Sequence, residues 1–598
     1  MSSFPKHSYE QAYDHAFPPS PPQLHQYISV FPTVSERTPL ITKAPTTPTG
    51  PTATSSSNNN NNSSNSNSSK PQLLPSFVTP GPLTPSTATA LVTDTDALLG
   101  YEIEYQQQQQ QQQHQQYPIT NDGYPTSLSA RETALKELRI LLRYSGPVVL
   151  TYILQNSLQL ASLVSLGHLG SIELAASSLA SMFASVTCWS VSLGTATALD
   201  TLCSQSFTSH HPHTLGLHLQ RAILILMLLL IPIAGVWLSS EQIFLLLGQE
   251  PALAQHAAIF MRGLLPGAPA YLIFECVKKF LQAQGNMHAS TLVLLIASPI
   301  NVILNYALVW NKYIGIGYIG APIATSISYW NMLILLLLYV RFVDGYQGWG
   351  GWTRDSLTGW PAFMKLAIPG ILMVCTEWWA FEVLSLAASF LGTIALAAQS
   401  VVVQTSGLLY TIPFGISIAA SNRVGNLIGM GDHRSAQISS HVSIVLAVLF
   451  GVINSLVLLT FKDHWGRLFS EDADVVSTVA MVLPFVALFQ ISDGVAGVGG
   501  GVLRGVGLQH LGAYLNLIAY YLVAFPIGFV MAFKLGWGLR GLWGSLCIAL
   551  SLVSLGELWV IIRTNWPSEV RKCKIRNDQL VKRRESLQAE IEATMPTH

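Results

Sequence analysis

The sequence predicts an all-α integral membrane protein of twelve transmembrane helices, arranged as two parallel six-helix repeats in two lobes and preceded by a disordered tail. Three observations carry that prediction. Half of the 598 residues are hydrophobic and only 10% are charged, with a mean hydropathy of +0.39, against about 25% charged in ordinary soluble domains. Twelve apolar stretches are each long enough, at about 1.5 Å of rise per residue, to cross a hydrocarbon core of about 30 Å. The second six stretches also repeat the first at a nearly constant offset.

The chain opens with a tail, residues 1–130. It is polar, with an Asn/Ser tract around Asn58 to Ser69 and a Gln tract from Gln106 to Gln116. Such a segment cannot bury enough apolar surface to offset chain entropy, so disorder is expected. Residues 131–341 form the first lobe, with spans expected at Gly146–Leu166, Ala180–Leu199, Ala222–Leu238, Ala254–Phe274, Ala289–Trp310 and Ala321–Val340. A Gly/Trp-rich linker, residues 342–363, is expected to lie partly in the membrane interface. The second lobe, residues 364–566, carries spans at Leu366–Phe390, Ala398–Ala420, His441–Phe461, Val476–Leu503, Leu511–Phe533 and Gly541–Ile562. The closing tail, residues 567–598, alternates basic and acidic residues and is expected to form a helix on the membrane surface.

Twelve spans return the chain to the side on which it started. Basic residues before the first span, after the last, and in alternate loops (Lys278, Lys279, Arg341, Arg354, Lys365, Arg423, Arg434 and Arg504) outnumber those opposite, which predicts cytosolic termini. The repeat is direct. Leu169-Gly-Ser-Ile-Glu-Leu-Ala-Ala-Ser-Ser178 matches Leu391-Gly-Thr-Ile-Ala-Leu-Ala-Ala-Gln-Ser400, and the same 222-residue step (391 − 169) pairs Pro147 with Pro369 and Gly285 with Gly507. Copies separated by an even number of helices share one orientation, so the two lobes are related by an axis along the membrane normal.

Glu377 lies near the middle of the seventh span. A charged residue at that depth costs about 2.5–3.5 kcal/mol on insertion scales, so it needs a partner, a proton or a function. At the repeat offset Glu377 faces Gln155, Glu382 faces Leu160 and Asp493 faces Tyr271. One scaffold used twice does not need acids there to fold, which marks Glu377 and Asp493 as functional candidates. Glu382 is five residues from Glu377, about 140° around the helix, so one acid is expected to line a cavity while the other braces it. Asp200, Glu275 and Arg504 fall near expected cytosolic ends, where solvation or helix pairing accounts for them.

The order of short motifs resembles the eukaryotic branch of the multidrug and toxic compound extrusion (MATE) family over about Leu138 to Ile562. The motifs are Gly167-His-Leu-Gly170 with Ala175-Ala-Ser-Ser-Leu179, Ala198-Leu-Asp-Thr-Leu-Cys-Ser-Gln205, Leu281-Gln-Ala-Gln284, Gly317-Tyr-Ile-Gly-Ala321 with Ile327-Ser-Tyr-Trp330, Glu377-Trp-Trp379 with Glu382, and Gly499-Gly-Gly-Val-Leu-Arg-Gly505. The resemblance implies a V-shaped pair of six-helix bundles that exports organic cations, drugs and other xenobiotics in exchange for protons, or for sodium in some members. It implies that Glu377, Asp493 and Glu382 couple protons and bind cations. Gln155 and Asn156 stand where one bacterial branch has a functional Asp, so no proton switch is expected at that place.

Trp378, Trp379, Tyr271, Tyr306 and Tyr410, with Gln155, are the candidate cavity residues. An aromatic face contributes about 0.5–2 kcal/mol to a desolvated cation, and about two of the five are expected to touch substrate. Glu36, Leu40 and Ile41, and Asp94, Leu98 and Leu99, each resemble an acidic dileucine sorting signal. A coat adaptor reading either would direct the protein to a vacuolar membrane, with the plasma membrane as the alternative destination. The six scattered cysteines make neither a C-x-x-C pair nor a zinc set, and no metal or cofactor is expected. His210, His211 and His213 read as a solvated loop. Zero net charge gives no field for nucleic acid, and no hydrolase, zincin or P-loop motif points to an enzyme or an ATP-driven pump. A lipid-linked oligosaccharide flippase of the same plan would need a cavity rich in Arg and Lys, whereas the deep charges here are acidic. Since one chain supplies both lobes, a monomer is expected.

Overall fold

The computed structural model describes residues 129–209 and 214–594. The tail tracts, both dileucine-like motifs and His210, His211 and His213 lie outside the described residues. Among the described residues twelve helices are long and apolar enough to cross a membrane: α1 (Ala130–Gly167), α2 (Ser171–Phe207), α3 (Thr214–Leu238), α4 (Pro251–Ala283), α5 (His288–Trp310), α6 (Gly317–Phe342), α7 (Trp360–Ser389), α8 (Thr393–Met430), α9 (His433–Leu468), α10 (Ala473–Val506), α11 (Gln509–Lys534) and α12 (Leu539–Arg563). A thirteenth helix, α13 (Trp566–Thr594), follows.

The helices run beyond the apolar stretches that predict them at one end or both, and several of those ends are set by caps rather than by hydropathy. α1 begins at Ala130 because Ser129 and Glu132 form a capping box: the Ser129 hydroxyl accepts from the Glu132 N–H at 3.2 Å, and the Glu132 carboxylate accepts from the Ser129 N–H at 2.7 Å. α8 and α10 continue until Gly431 (φ 88°) and Gly507 (φ 97°), whose left-handed backbone stops them. This overrun corrects one expectation. Lys278, Lys279, Arg423 and Arg504 were assigned to loops, yet they sit inside α4, α8 and α10 and face protein.

α1–α6 pack around Trp237, Phe244, Phe274 and Phe280, and α7–α12 around Phe489, Tyr520 and Trp543. Lipid tails are as apolar as these side chains, so the lobes associate through close packing and polar contacts rather than through exclusion of water. Those contacts gather toward the end at which the described chain starts and finishes, the near end. There Leu141 of α1 enters the second lobe's core, and Val148 packs with Ile418. α2 crosses α7 backbone to backbone. A Cβ on Gly194 would stand 2.5 Å from Ile371 Cα, and one on Gly370 would stand 2.6 Å from the Gly194 carbonyl oxygen. Only hydrogen fits at either place.

Two further segments pack on the bundle. The Gly/Trp linker is strapped to the first lobe by hydrogen bonds: Gly216 N–H donates to Gly348 O at 3.0 Å, Gln220 Nε2 to Gly351 O at 2.6 Å, and Gln284 Nε2 to Gly345 O at 3.2 Å. α13 is docked on the near end of the bundle. Its buried face repeats at helical spacing, with Trp566, Cys573 and Asn577 buried and Val570 partly so, and it packs on α8 and α9. Arg576 and Asn577 both reach Gln205 of α2, so α13 touches both lobes.

Candidate functional site

Between the lobes lies a cavity of about 420 Å³. α7 contributes Glu377, Trp378, Phe381 and Glu382, α8 contributes Tyr410 and Phe414, and α10 contributes Asp493. The facing wall is Tyr152, Gln155, Asn156 and Gln159 of α1, Trp189 of α2, Tyr271 and Glu275 of α4, and Tyr329 of α6. Glu377 and Glu382 both line it, rather than one lining and the other bracing it. Among the described residues, the carboxylates of Glu377, Glu382 and Asp493 have neither a hydrogen-bond nor an ion-pair partner, and Asp493 is 5% exposed. A buried carboxylate left without a donor is costly, so this wall is prepared for a cation or a proton.

Two candidates fall elsewhere. Trp379 turns away from the cavity toward α2, where its indole N–H donates to the Val186 carbonyl at 3.2 Å. Tyr306 is 68% exposed and lines a separate groove with Leu160 and Trp310. A membrane helix is apolar all round, so sequence alone did not say which neighbour, Trp378 or Trp379, turns inward.

The largest omission is on the first lobe. Glu275, assigned to a cytosolic end, lines the cavity and is 2% exposed. Its Oε1 accepts from Lys278 Nζ at 2.7 Å and from Gln155 Nε2 at 2.9 Å, and Gln155 Oε1 accepts from Lys278 at 3.2 Å. The signal was available, since at the repeat offset Glu275 faces Gly497 and Lys278 faces Gly500. Glu557 of α12 was also missed. Both its oxygens lack hydrogen-bond partners, it lies against Gly499 and Gly500, and it is within electrostatic reach of Arg504 and Glu377.

Below the cavity the near end is closed by buried charge. Lys279 donates to Asp200 at 2.9 Å within the first lobe, and Arg504 of the second lobe reaches Asp200 at 3.6 Å and Ser417 Oγ at 2.7 Å. Arg423 of α8 grips Glu137 of α1 through two bonds of 2.7 and 2.6 Å. Gln205 Nε2 donates to the Gly505 carbonyl at 2.7 Å, and Thr208 Oγ1 to that of Asn426 at 2.7 Å. A duplicated helical bundle, sealed at one end and holding a polar cavity between its halves, defines a membrane transporter in which two lobes form one site.

The MatE family model matches residues 147–307 and again residues 369–530, two stretches that start 222 residues apart. The chain is 43% identical to an uncharacterized transporter of Schizosaccharomyces pombe, over 72% of this chain and 80% of that one. It is 37% identical to multidrug and toxin extrusion protein 1 of Homo sapiens, over 74% and 77% of the two chains. The crystal structure of the eukaryotic MATE transporter AtDTX14 superposes with a TM-score of 0.71 at 31% identity, covering 75% of this chain and all of that one. A MATE transporter of Vibrio cholerae, at 16% identity and a TM-score of 0.65, shares the fold. The chain belongs to the MATE family of membrane transporters.

Proposed function

We propose that the protein is a secondary antiporter that moves organic cations and other xenobiotics out of the cytosol in exchange for protons. The observation that carries this reading is the set of partnerless carboxylates, Glu377, Asp493 and Glu382, on one wall of a cavity whose near end is shut. The human relative is named for multidrug and toxin extrusion, and an Arabidopsis thaliana relative at 37% identity is named DETOXIFICATION 16.

Exchange follows if cation and proton compete for the same acids. Facing an acidic lumen or exterior, Glu377 and Asp493 take protons and release the cation. Facing the cytosol they lose protons, and their charge draws in the next cation. Trp378, Tyr271 and Tyr410 offer ring faces to it. With the termini cytosolic, as the basic residues favour, the closed near end faces the cytosol. The dileucine-like motifs at Glu36 and Asp94 favour a vacuolar membrane over the plasma membrane. The working unit is a monomer, since both walls come from one chain.

The test is uptake of a fluorescent organic cation into vesicles holding the purified chain under an imposed pH gradient. Uptake that follows the gradient without sodium, and is lost in Glu377→Gln, is the expected result. Uptake that follows a sodium gradient instead replaces the counter-ion and keeps the acids. Normal uptake by Glu377→Gln refutes the coupling role.

A further inference from the structure

The first-lobe wall of the cavity is built like a receptor for an ammonium group. Trp189, Tyr271 and Tyr329 stand together, with ring centroids 4.5 Å apart for Trp189 and Tyr271, 5.0 Å for Tyr271 and Tyr329, and 5.9 Å for Trp189 and Tyr329. All three line the cavity beside Glu275. Gln155 Nε2 donates to the Tyr271 hydroxyl at 3.1 Å as well as to Glu275, which fixes ring and carboxylate relative to each other.

The carboxylate is used on one side only. Oε1 holds Lys278 and Gln155, whereas Oε2 has no hydrogen-bond partner among the described residues. Lys278 is fully buried, held at Oε1 and stacked 4.5 Å from the centre of the Tyr152 ring, and it does not line the cavity. The ion pair is therefore a dipole whose second carboxylate oxygen, itself buried in a residue that lines the cavity, is left without a donor. A buried acceptor with no donor is a site awaiting one, and a carboxylate framed by aromatic faces suits a substituted ammonium. The repeat removes the scaffold explanation. The residues that correspond to Tyr271, Glu275, Lys278 and Trp189 in the second lobe are Asp493, Gly497, Gly500 and Thr411.

We propose that Glu275, with Trp189, Tyr271 and Tyr329, is a second ammonium subsite, facing the Glu377 and Asp493 wall, and that the cavity takes elongated dications with one charge at each lobe. This rests on reading the cavity as the substrate site. It adds that a substrate with two positive ends is held by both lobes at once, while a monocation engages one wall.

Calorimetric titration of the purified full chain tests it, using bis(dimethylammonium) alkanes of increasing methylene length, each end keeping one N–H to donate, against alkyl-dimethylammonium ions of the same length. The wild type is expected to bind the best bis-cation about tenfold more tightly than its monocationic counterpart, the advantage of one added cation–π and charge contact. In Glu275→Gln/Lys278→Met, which removes both charges together, that ratio falls to about one. In Lys278→Met alone the carboxylate loses its internal partner, and the ratio rises. A merely structural pair would move both ligands alike and leave the ratio unchanged in both variants, which overturns the proposal. A wild-type ratio of one at every length also overturns it. Gradient-driven uptake of the monocation is measured separately. Absent uptake with an intact ratio sinks the transport reading and keeps the subsite, whereas normal uptake with a ratio of one does the reverse.

Discussion

Arg423→Ala should open the near end. Glu137 is 1% exposed, and the Arg423 side chain 14%, so the pair is shielded from solvent, and the two short bonds join α1 of one lobe to α8 of the other. Removing one partner of a buried pair costs about 3–5 kcal/mol, because the remaining charge is left without compensation, whereas removing both costs much less. The penalty applies in the state where the lobes meet and is relieved when they part and water reaches Glu137. At about 1.4 kcal/mol per factor of ten, the closed-to-open ratio falls by about two to four powers of ten in Arg423→Ala. It falls far less in Glu137→Ala/Arg423→Ala. Spin labels on His288 and Arg434, exposed near-end residues of opposite lobes, report the distance by pulsed dipolar spectroscopy. All six native cysteines are buried, which limits stray labelling. A single short-distance population in the wild type should give way to a longer one in the single variant. An unchanged distance distribution, or equal shifts in single and double variants, would refute the idea that this pair locks the lobes.

Gly194→Ala places a methyl 2.5 Å from Ile371 Cα, a backbone atom that cannot rotate away, so α2 and α7 must part and the near end is destabilised by about 1–3 kcal/mol. The same spin-label pair reads this, and Ala at Gly235, where nothing lies within 4 Å, is the control. Asp493→Asn should abolish gradient-driven uptake as Glu377→Gln does, while the protein still elutes as a folded species. Burial pushes the Cys573 thiol of α13 above its ordinary value, partly opposed by Arg576. A group whose pKa is raised by docking favours docking below its free value of about 8.5 and loses that contribution as pH rises through the docked value. Maleimide labelling of Cys573 should therefore be slow at neutral pH and accelerate on alkaline titration more steeply than thiolate formation on a free peptide. A rate equal to the peptide's would show that α13 is not docked.

The helices and their repeat were legible because a membrane span is a property of composition and length, and the duplicated motifs kept their register. Glu377 and Asp493 were legible because a lone acid in an apolar run stands out and its repeat partner is neutral. Glu275 was hidden by its neighbours: Lys278 and Lys279 look like a loop, since the eye ends a span at the first basic pair. α4 carries them inward because Glu275, one turn earlier on the same helix, and Asp200, 79 residues earlier on α2, supply counter-charges, and the second of these is not displayed by the local sequence. Trp379 and Tyr306 were misplaced for a different reason. Lipid and cavity both accept aromatic rings, and nothing local phases a helix that is apolar on every side. α13 reads as charged surface because, among its described side chains, only Trp566, Cys573 and Asn577 are buried, and its partner Gln205 stands 371 residues earlier.

The Glu137–Arg423 pair also has a history in each molecule. Its members are 286 residues apart in sequence, and at about 5–20 residues per second the ribosome delivers the arginine about 15–60 s after the glutamate. Throughout that interval α1 exists with a carboxylate whose partner has not been made. The near end of the first lobe must stay hydrated while it waits, so the seam between the lobes is set only when the eighth helix arrives.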